Sequence, residues 1–134
     1  GTGNKNQDSK RAGGQMPNLF EVRDQNGIKI YCTEEQWKSH IALNHSIMER
    51  NIDAIVETIR EPEIVLPSHD TDPPLNDRRI YTKESKVATY HPKLKYTHVI
   101  ISVCGGSGEV VTAYPNNNKT SGYSEGEAIY IAEE

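Results

Sequence analysis

The stretch that most limits the fold is residues 96–115, YTHVIISVCGGSGEVVTAYP. An apolar run, a glycine-rich break and a second run of Val, Thr, Ala and Tyr read as two strands joined by a tight turn. The first run is apolar almost throughout, so it predicts a central strand. CGGSGE superficially resembles a nucleotide-binding loop. It lacks the Lys-Ser/Thr ending and lies between two strands, so a hairpin turn is the better reading.

Other strands follow from the same signals. LFEVRDQNGIKIYC alternates on both sides of Asn26-Gly27, a pair that suits a hairpin because both residues accept positive φ. EIVLP is a short run ending at Pro67, SHDTDPPLND is a loop, RRIYTK alternates, and AIYIA can add one short strand. Between the hairpin and these strands lies a helical stretch. Thr33 with Gln36 forms a capping box, with Glu34 and Glu35 in the first turn. Trp37 and Ile41 share a face with either His40 or Asn44. Ser46 with Glu49 forms a second box, and Ile47, Met48, Ile52, Ile55, Val56 and Ile59 keep a helical period up to Pro62. Two helices broken near residues 44–46 are therefore expected. A hairpin, two helices and an antiparallel meander make an α+β fold, with the helices packed on the sheet.

The hydrophobic share is 34%, and ten Gly and seven Pro leave less of the chain for a core. Residues 1–18 are polar and glycine-rich and read as a disordered linker. Residues 19–134 are then one domain. No apolar run approaches the roughly 18 residues of a membrane span, and no signal peptide is visible. Cys32 and Cys104 fit neither a disulfide framework nor a zinc ribbon. Two buried free thiols are expected, or a pair if their strands are neighbours.

Charge is unevenly placed. The net charge is −4, yet residues 78–98 hold six basic residues and one acid. The basic residues are Arg78, Arg79, Lys83, Lys86, Lys93 and Lys95. Such a stretch is either a solvated loop or a surface facing phosphates.

Two of the five histidines, His40 and His45, fall in the helical stretch. On one continuous helix they would point about 140° apart. Helical zinc pairs use four-residue spacing, and no nearby Cys or carboxylate set completes a site, so no metal is expected. If the first helix ends near Asn44, His45 lies at the break and His40 one turn back. Both can then face one cleft. The competing arrangement is one surface histidine and one hydrogen-bonded core histidine. In RRIYTK the strand period puts Arg79, Tyr81 and Lys83 on one face and Arg78, Ile80 and Thr82 on the other. Ile80 belongs more naturally to a core. In EVVTAYP the period groups Val110, Thr112 and Tyr114, opposite Val111 and Ala113. Thr and Tyr are also common in ordinary strands.

In order, Trp37, His40-Ile41, His45, Met48, the Ile-rich helix, Arg79-x-Tyr81, an apolar strand, a glycine-rich turn and VVTAYP make a pattern. It resembles the BECR-fold ribonucleases, the group named for barnase, EndoU, colicin nucleases and RelE, in their phage- and polymorphic-toxin-associated branch. The likeness covers roughly residues 35–115. It implies a metal-independent endoribonuclease with no cofactor. Such domains are often the C-terminal effector of a larger secreted toxin, acting on RNA, here expected to be tRNA, in the target-cell cytoplasm. An immunity protein is the implied partner. Carried over position by position, the catalytic set falls on His40, His45, Arg79, Tyr81, Thr112 and Tyr114. Arg78, Lys83, Lys86, Lys93 and Lys95 would hold substrate.

The residues suit that chemistry. Imidazole moves protons near neutrality, and guanidinium matches phosphate oxygens. Two other classes compete. One is a non-catalytic module docking RNA or an acidic protein through the basic stretch. The other is an ADP-ribosyltransferase-like toxin, which needs a catalytic Glu near the later strands, where Glu109 and Glu125 are available.

Overall fold

The structure, a computed structural model, describes residues 17–68, 77–85, 93–120 and 124–133. Seven strands form one mixed sheet: β1 (Asn18–Arg23), β2 (Lys29–Thr33), β3 (Ile64–Pro67), β4 (Arg78–Glu84), β5 (Tyr96–Cys104), β6 (Ser107–Asn116) and β7 (Tyr130–Ile131). Their order across the sheet is β1-β2-β6-β5-β4-β3-β7. All neighbours are antiparallel except β2 and β6, which run parallel over Lys29–Tyr31 and Ser107–Glu109. The hairpin β1–β2 comes first. The chain then crosses the sheet through the helices and re-enters at β3. The meander β3–β6 works back until β6 meets β2. This is an α+β fold, with one parallel contact where the meander meets the hairpin. Of the predicted linker 1–18, only Pro17 and Asn18 are among the described residues, and Asn18 already belongs to β1.

The first turn is longer than an Asn-Gly pair. Arg23 pairs with Lys29, so residues 24–28 make the loop. Asp24 organises it: its Oδ1 accepts from the N–H groups of Asn26 and Ile28, both at 2.9 Å. Gly27 takes the positive φ, 83°, that the loop needs. Asp24 can serve this loop because Asx side chains bond nearby backbone in place of regular pairing.

Helix formation starts as expected. Thr33 Oγ1 accepts from the Gln36 N–H at 3.0 Å, capping α1 (Glu34–Gln36). The helix widens into a π-helical turn at Trp37–Ile41 and closes as α2 (Ala42–Asn44). His45, at φ −138° and ψ 70°, leaves helical geometry and ends it. The predicted second cap at Ser46 is not formed. Ser46–Arg50 is a 3-10 turn that buries Met48, and α3 (Ile52–Arg60) starts after Asn51. Asn51 instead donates its side-chain amide to the Ile47 carbonyl at 2.8 Å. Among the described residues no helix is long and apolar enough to cross a membrane.

The helices cover one sheet face. Trp37, Ile41, Met48, Ile55 and Ile59 pack there with Ile30, Cys32, Val65, Tyr81, Val99, Ile101, Val110 and Ala113. Gly108 permits the close approach: a Cβ there would lie 2.8 Å from Ile30 Cδ1 and 2.9 Å from Ile101 Cγ2. Cys32 is buried and Cys104 exposed, and both are free thiols.

Candidate functional site

The site depends on one irregularity. From the turn up to Ile101, β5 and β6 keep one register: Cys104 pairs with Ser107 and Ile101 with Val110. Ile100 then pairs with Thr112, and Val111 is left over as a bulge. The extra residue reverses which way the following side chains point. Val110 and Ala113 both face the helices. Thr112 and Tyr114 go to the opposite face, with their partners Ile100 and His98. The expected grouping of Val110 with Thr112 and Tyr114 is therefore corrected: the bulge separates Val110 from the other two.

Beyond Glu109 strand β6 has no β2 beside it, and the first helix takes that place. Gln36 Nε2 donates to the carbonyl of the bulged Val111 at 2.6 Å. His45, half-buried at the end of this helix, meets the Tyr114 ring at a centroid distance of 5.5 Å, tilted by 41°. The His98 ring lies 5.6 Å from the same tyrosine, at 29°. Tyr114 is thus shared by two imidazoles.

The two histidines differ in surroundings. Burial, and then the nearby charge of His40, lower the His45 pKa below its ordinary value of 6.5. A neutral imidazole that can accept a proton is the result. His40 itself is exposed. His98 is fully buried. Its Nε2 lies 2.8 Å from the Asn118 carbonyl, which fixes the proton on that nitrogen. Its Nδ1 is buried and makes no hydrogen bond. Burial lowers the His98 pKa, and the Asn118 bond only partly opposes this.

The face that carries Tyr114 is unusually rich in such atoms. Arg78, Ile80 and Thr82 of β4 share it with His98 and Ile100 of β5, by register. Arg78 Nε, Thr82 Oγ1, His98 Nδ1 and Thr112 Oγ1 are all buried without a hydrogen-bond partner. Buried polar atoms are normally paired, and four on one face set it apart from the apolar side that packs on the helices.

Arg79 and Tyr81 are not brought to this face. Their side chains point to the helix side, where Tyr81 is buried in the core. The Tyr81 hydroxyl donates to Asp24 Oδ2 at 2.6 Å. Burial first, then Asp24, hold its pKa well above the usual phenol range, and Arg79 beside it offsets this only in part. This tyrosine locks the first turn to the central strands. Arg79 and Tyr81 are thus separated from Thr112 and Tyr114 by the sheet itself. Sequence alternation grouped Arg79 with Tyr81 correctly; the helices cover their face, and Ile80 on the other face is fully buried, as expected of it.

The basic stretch is also divided. Lys83 Nζ is held by Glu57 of α3 at 2.9 Å and by Glu61, the residue just after that helix, at 3.4 Å. Arg78 and Arg79 are half-buried, Lys93 and Lys95 are exposed, and Lys86 lies outside the described residues. Glu109 is half-buried beside Tyr31, whose pKa is raised by burial and by Glu109. It pairs near the turn end of β6, away from Tyr114. The side chain of Glu125 is outside the described residues. Among the described residues no group of three or more His, Cys, Asp or Glu side chains could hold a metal ion.

Two residues of this arrangement escape a reading of the sequence, His98 and Asp24. His98 had one signal, an imidazole inside the otherwise apolar run VIIS and its neighbours. Asp24 had another, its place just ahead of Asn26-Gly27. The chain matches no family model, no curated protein and no solved structure.

Proposed function

We propose that the chain is a metal-independent endoribonuclease domain, cutting RNA by transesterification in the manner of the BECR-type toxins. The observation that carries this reading is the contact of the half-buried His45 imidazole with the Tyr114 ring, on the sheet face that also holds the Thr112 hydroxyl. Three kinds of group are needed: a base for the 2′-hydroxyl, an acid for the leaving 5′-oxygen, and donors for the phosphate. His45, neutral near pH 7, takes the 2′-proton. The 2′-oxygen attacks phosphorus, the bond to the 5′-oxygen breaks, and a proton is returned to that oxygen. The products are a 2′,3′-cyclic phosphate and a 5′-hydroxyl. His40, whose charge is felt at His45, is the second imidazole. Tyr114 orients the phosphate or stacks a base, the buried Thr112 hydroxyl lies behind it, and Arg78 is the guanidinium on their face. Arg79 and Tyr81 take a structural role in this scheme. tRNA is the proposed substrate, and an immunity protein the proposed partner of a secreted effector.

The test uses purified chain and tRNA in EDTA, with product ends mapped. Cleavage leaving a cyclic phosphate, lowered about 10²–10⁴-fold by His45→Ala, is the expected result. Undiminished cleavage by both His45→Ala and His40→Ala overturns the reading. Tight RNA binding without any cleavage points instead to a docking module.

A further inference from the structure

We infer that His98 is a positioning residue, whose buried ring holds Tyr114 against His45. The active-site part of this inference rests on the ribonuclease reading; the positioning part does not.

His98 cannot meet substrate directly, because it has no exposed surface. It is placed to act through Tyr114, its direct partner across β5 and β6. The two rings lie 5.6 Å apart and within 29° of parallel. Aromatic contacts at such spacing carry a preferred geometry, beyond the area they bury. The Tyr114 ring meets His45 next, at 5.5 Å. An ordered row of three rings therefore runs from the sheet interior to the loop between α2 and the 3-10 turn.

The ring orientation of His98 is itself fixed. Nε2 donates to the carbonyl of Asn118, two residues beyond the end of β6. This bond sets the tautomer and stops the imidazole rotating. A purely apolar ring would fill the space equally well. Instead the chain places a histidine there and leaves its Nδ1, and the hydroxyl of its other cross-strand partner Thr82, without hydrogen bonds. Unpaired buried polar atoms cost stability, so packing alone does not account for them. A fixed, flat platform under Tyr114 does require a ring whose angle is set from one side.

Two variants separate the ring from its tie. His98→Phe keeps an aromatic platform and loses the bond to Asn118. His98→Gln keeps an N–H donor for Asn118 and loses the platform. Each is checked for folding by circular dichroism and thermal melting. The first readout is the NMR signal of the His45 ring protons, which sense the Tyr114 ring. His98→Gln is expected to shift these signals and the His45 titration midpoint most, and His98→Phe, which keeps the ring but not its tie to Asn118, to shift them by less. The second readout is tRNA cleavage, where His98→Gln lowers kcat about 10-fold or more with KM little changed, and His98→Phe stays within about 3-fold. A folded His98→Gln with unaltered His45 signals and unaltered kcat overturns the inference. So does loss of activity in both variants in proportion to lost folded protein. If wild-type chain cleaves no RNA, the ribonuclease reading fails, while the NMR comparison still decides whether His98 positions His45.

Discussion

The Gln36 side chain donates its amide to the carbonyl of Val111, 2.6 Å away and 75 residues later in the chain. The acceptor is the bulged residue of β6, at an edge that no strand covers among the described residues. This bond fastens the helix that ends in His45 to the part of β6 that carries Thr112 and Tyr114. Gln36→Ala removes one partly buried bond and is expected to cost about 1 kcal/mol, measured as a shift in urea midpoint. Because the bond joins the two halves of the site, cleavage should fall by more than the loss of folded protein explains. Unchanged cleavage at full folding would show that the helix holds its place without it.

This relationship also explains which parts of the molecule were legible beforehand. Strand positions and the Thr33 cap follow from local pattern, whereas the break at His45 lies where it was expected although the Ser46 cap that suggested it is not formed. The Gly105-Gly106 turn sets a register in which His98 would oppose Ala113 and Tyr114 would oppose Thr97. One extra residue at Val111 moves the partnership to His98–Tyr114. No property of Val-Val marks a bulge, so the row of rings could not be read from spacing. The face taken by Arg79 and Tyr81 was equally hidden. Alternation says which residues share a side, but only the packing of the helices decides which side they cover, and Ile80, Thr82 and His98 on the other side are buried as well.

Tyr81 belongs to the core on the helix side. Its hydroxyl is the donor that Asp24 Oδ2 uses, so Tyr81→Phe leaves a buried carboxylate oxygen short of one hydrogen bond. A loss of about 2 kcal/mol is expected by chemical denaturation. The kcat for RNA should change little, since the raised phenol pKa and the helix-side position keep Tyr81 out of proton transfer. A loss of 100-fold in kcat with intact stability would return Tyr81 to the catalytic set.

The cysteines differ in reactivity for the same reason that they differ in burial. Cys32 is buried in the core, and burial first, then Glu109, push its thiol up to about 12. Cys104 is exposed beside the Gly105-Gly106 turn. A thiol reagent at pH 8 should label Cys104 alone in the native protein and both after denaturation in guanidinium. Labelling of Cys32 at the rate of Cys104 would mean that the sheet opens at β2.

His98 gives stability a pH dependence. Its folded pKa is depressed, so the unfolded chain binds its proton first as pH falls. Stability from this group is whole above the unfolded value of about 6.5. It declines as pH drops toward the folded value, then levels. His98→Phe lacks this group, so its thermal midpoint should fall less than wild type between pH 7 and pH 5. Parallel melting curves for the two proteins would show that His98 protonates freely in the folded state.

His45 should titrate below 6.5, from burial first and the charge of His40 second. If it is the base, cleavage rises with pH through this midpoint, because only the neutral imidazole accepts the 2′-proton. His40→Gln removes the repelling charge, which makes a protonated His45 easier to form. Its midpoint then moves up toward the ordinary value, and the acidic limb of the rate profile moves with it. The NMR titration of His45 and the pH dependence of kcat/KM, taken on both proteins, must shift together and in that direction. A rate limb that stays fixed while the His45 midpoint moves would assign the base to another residue.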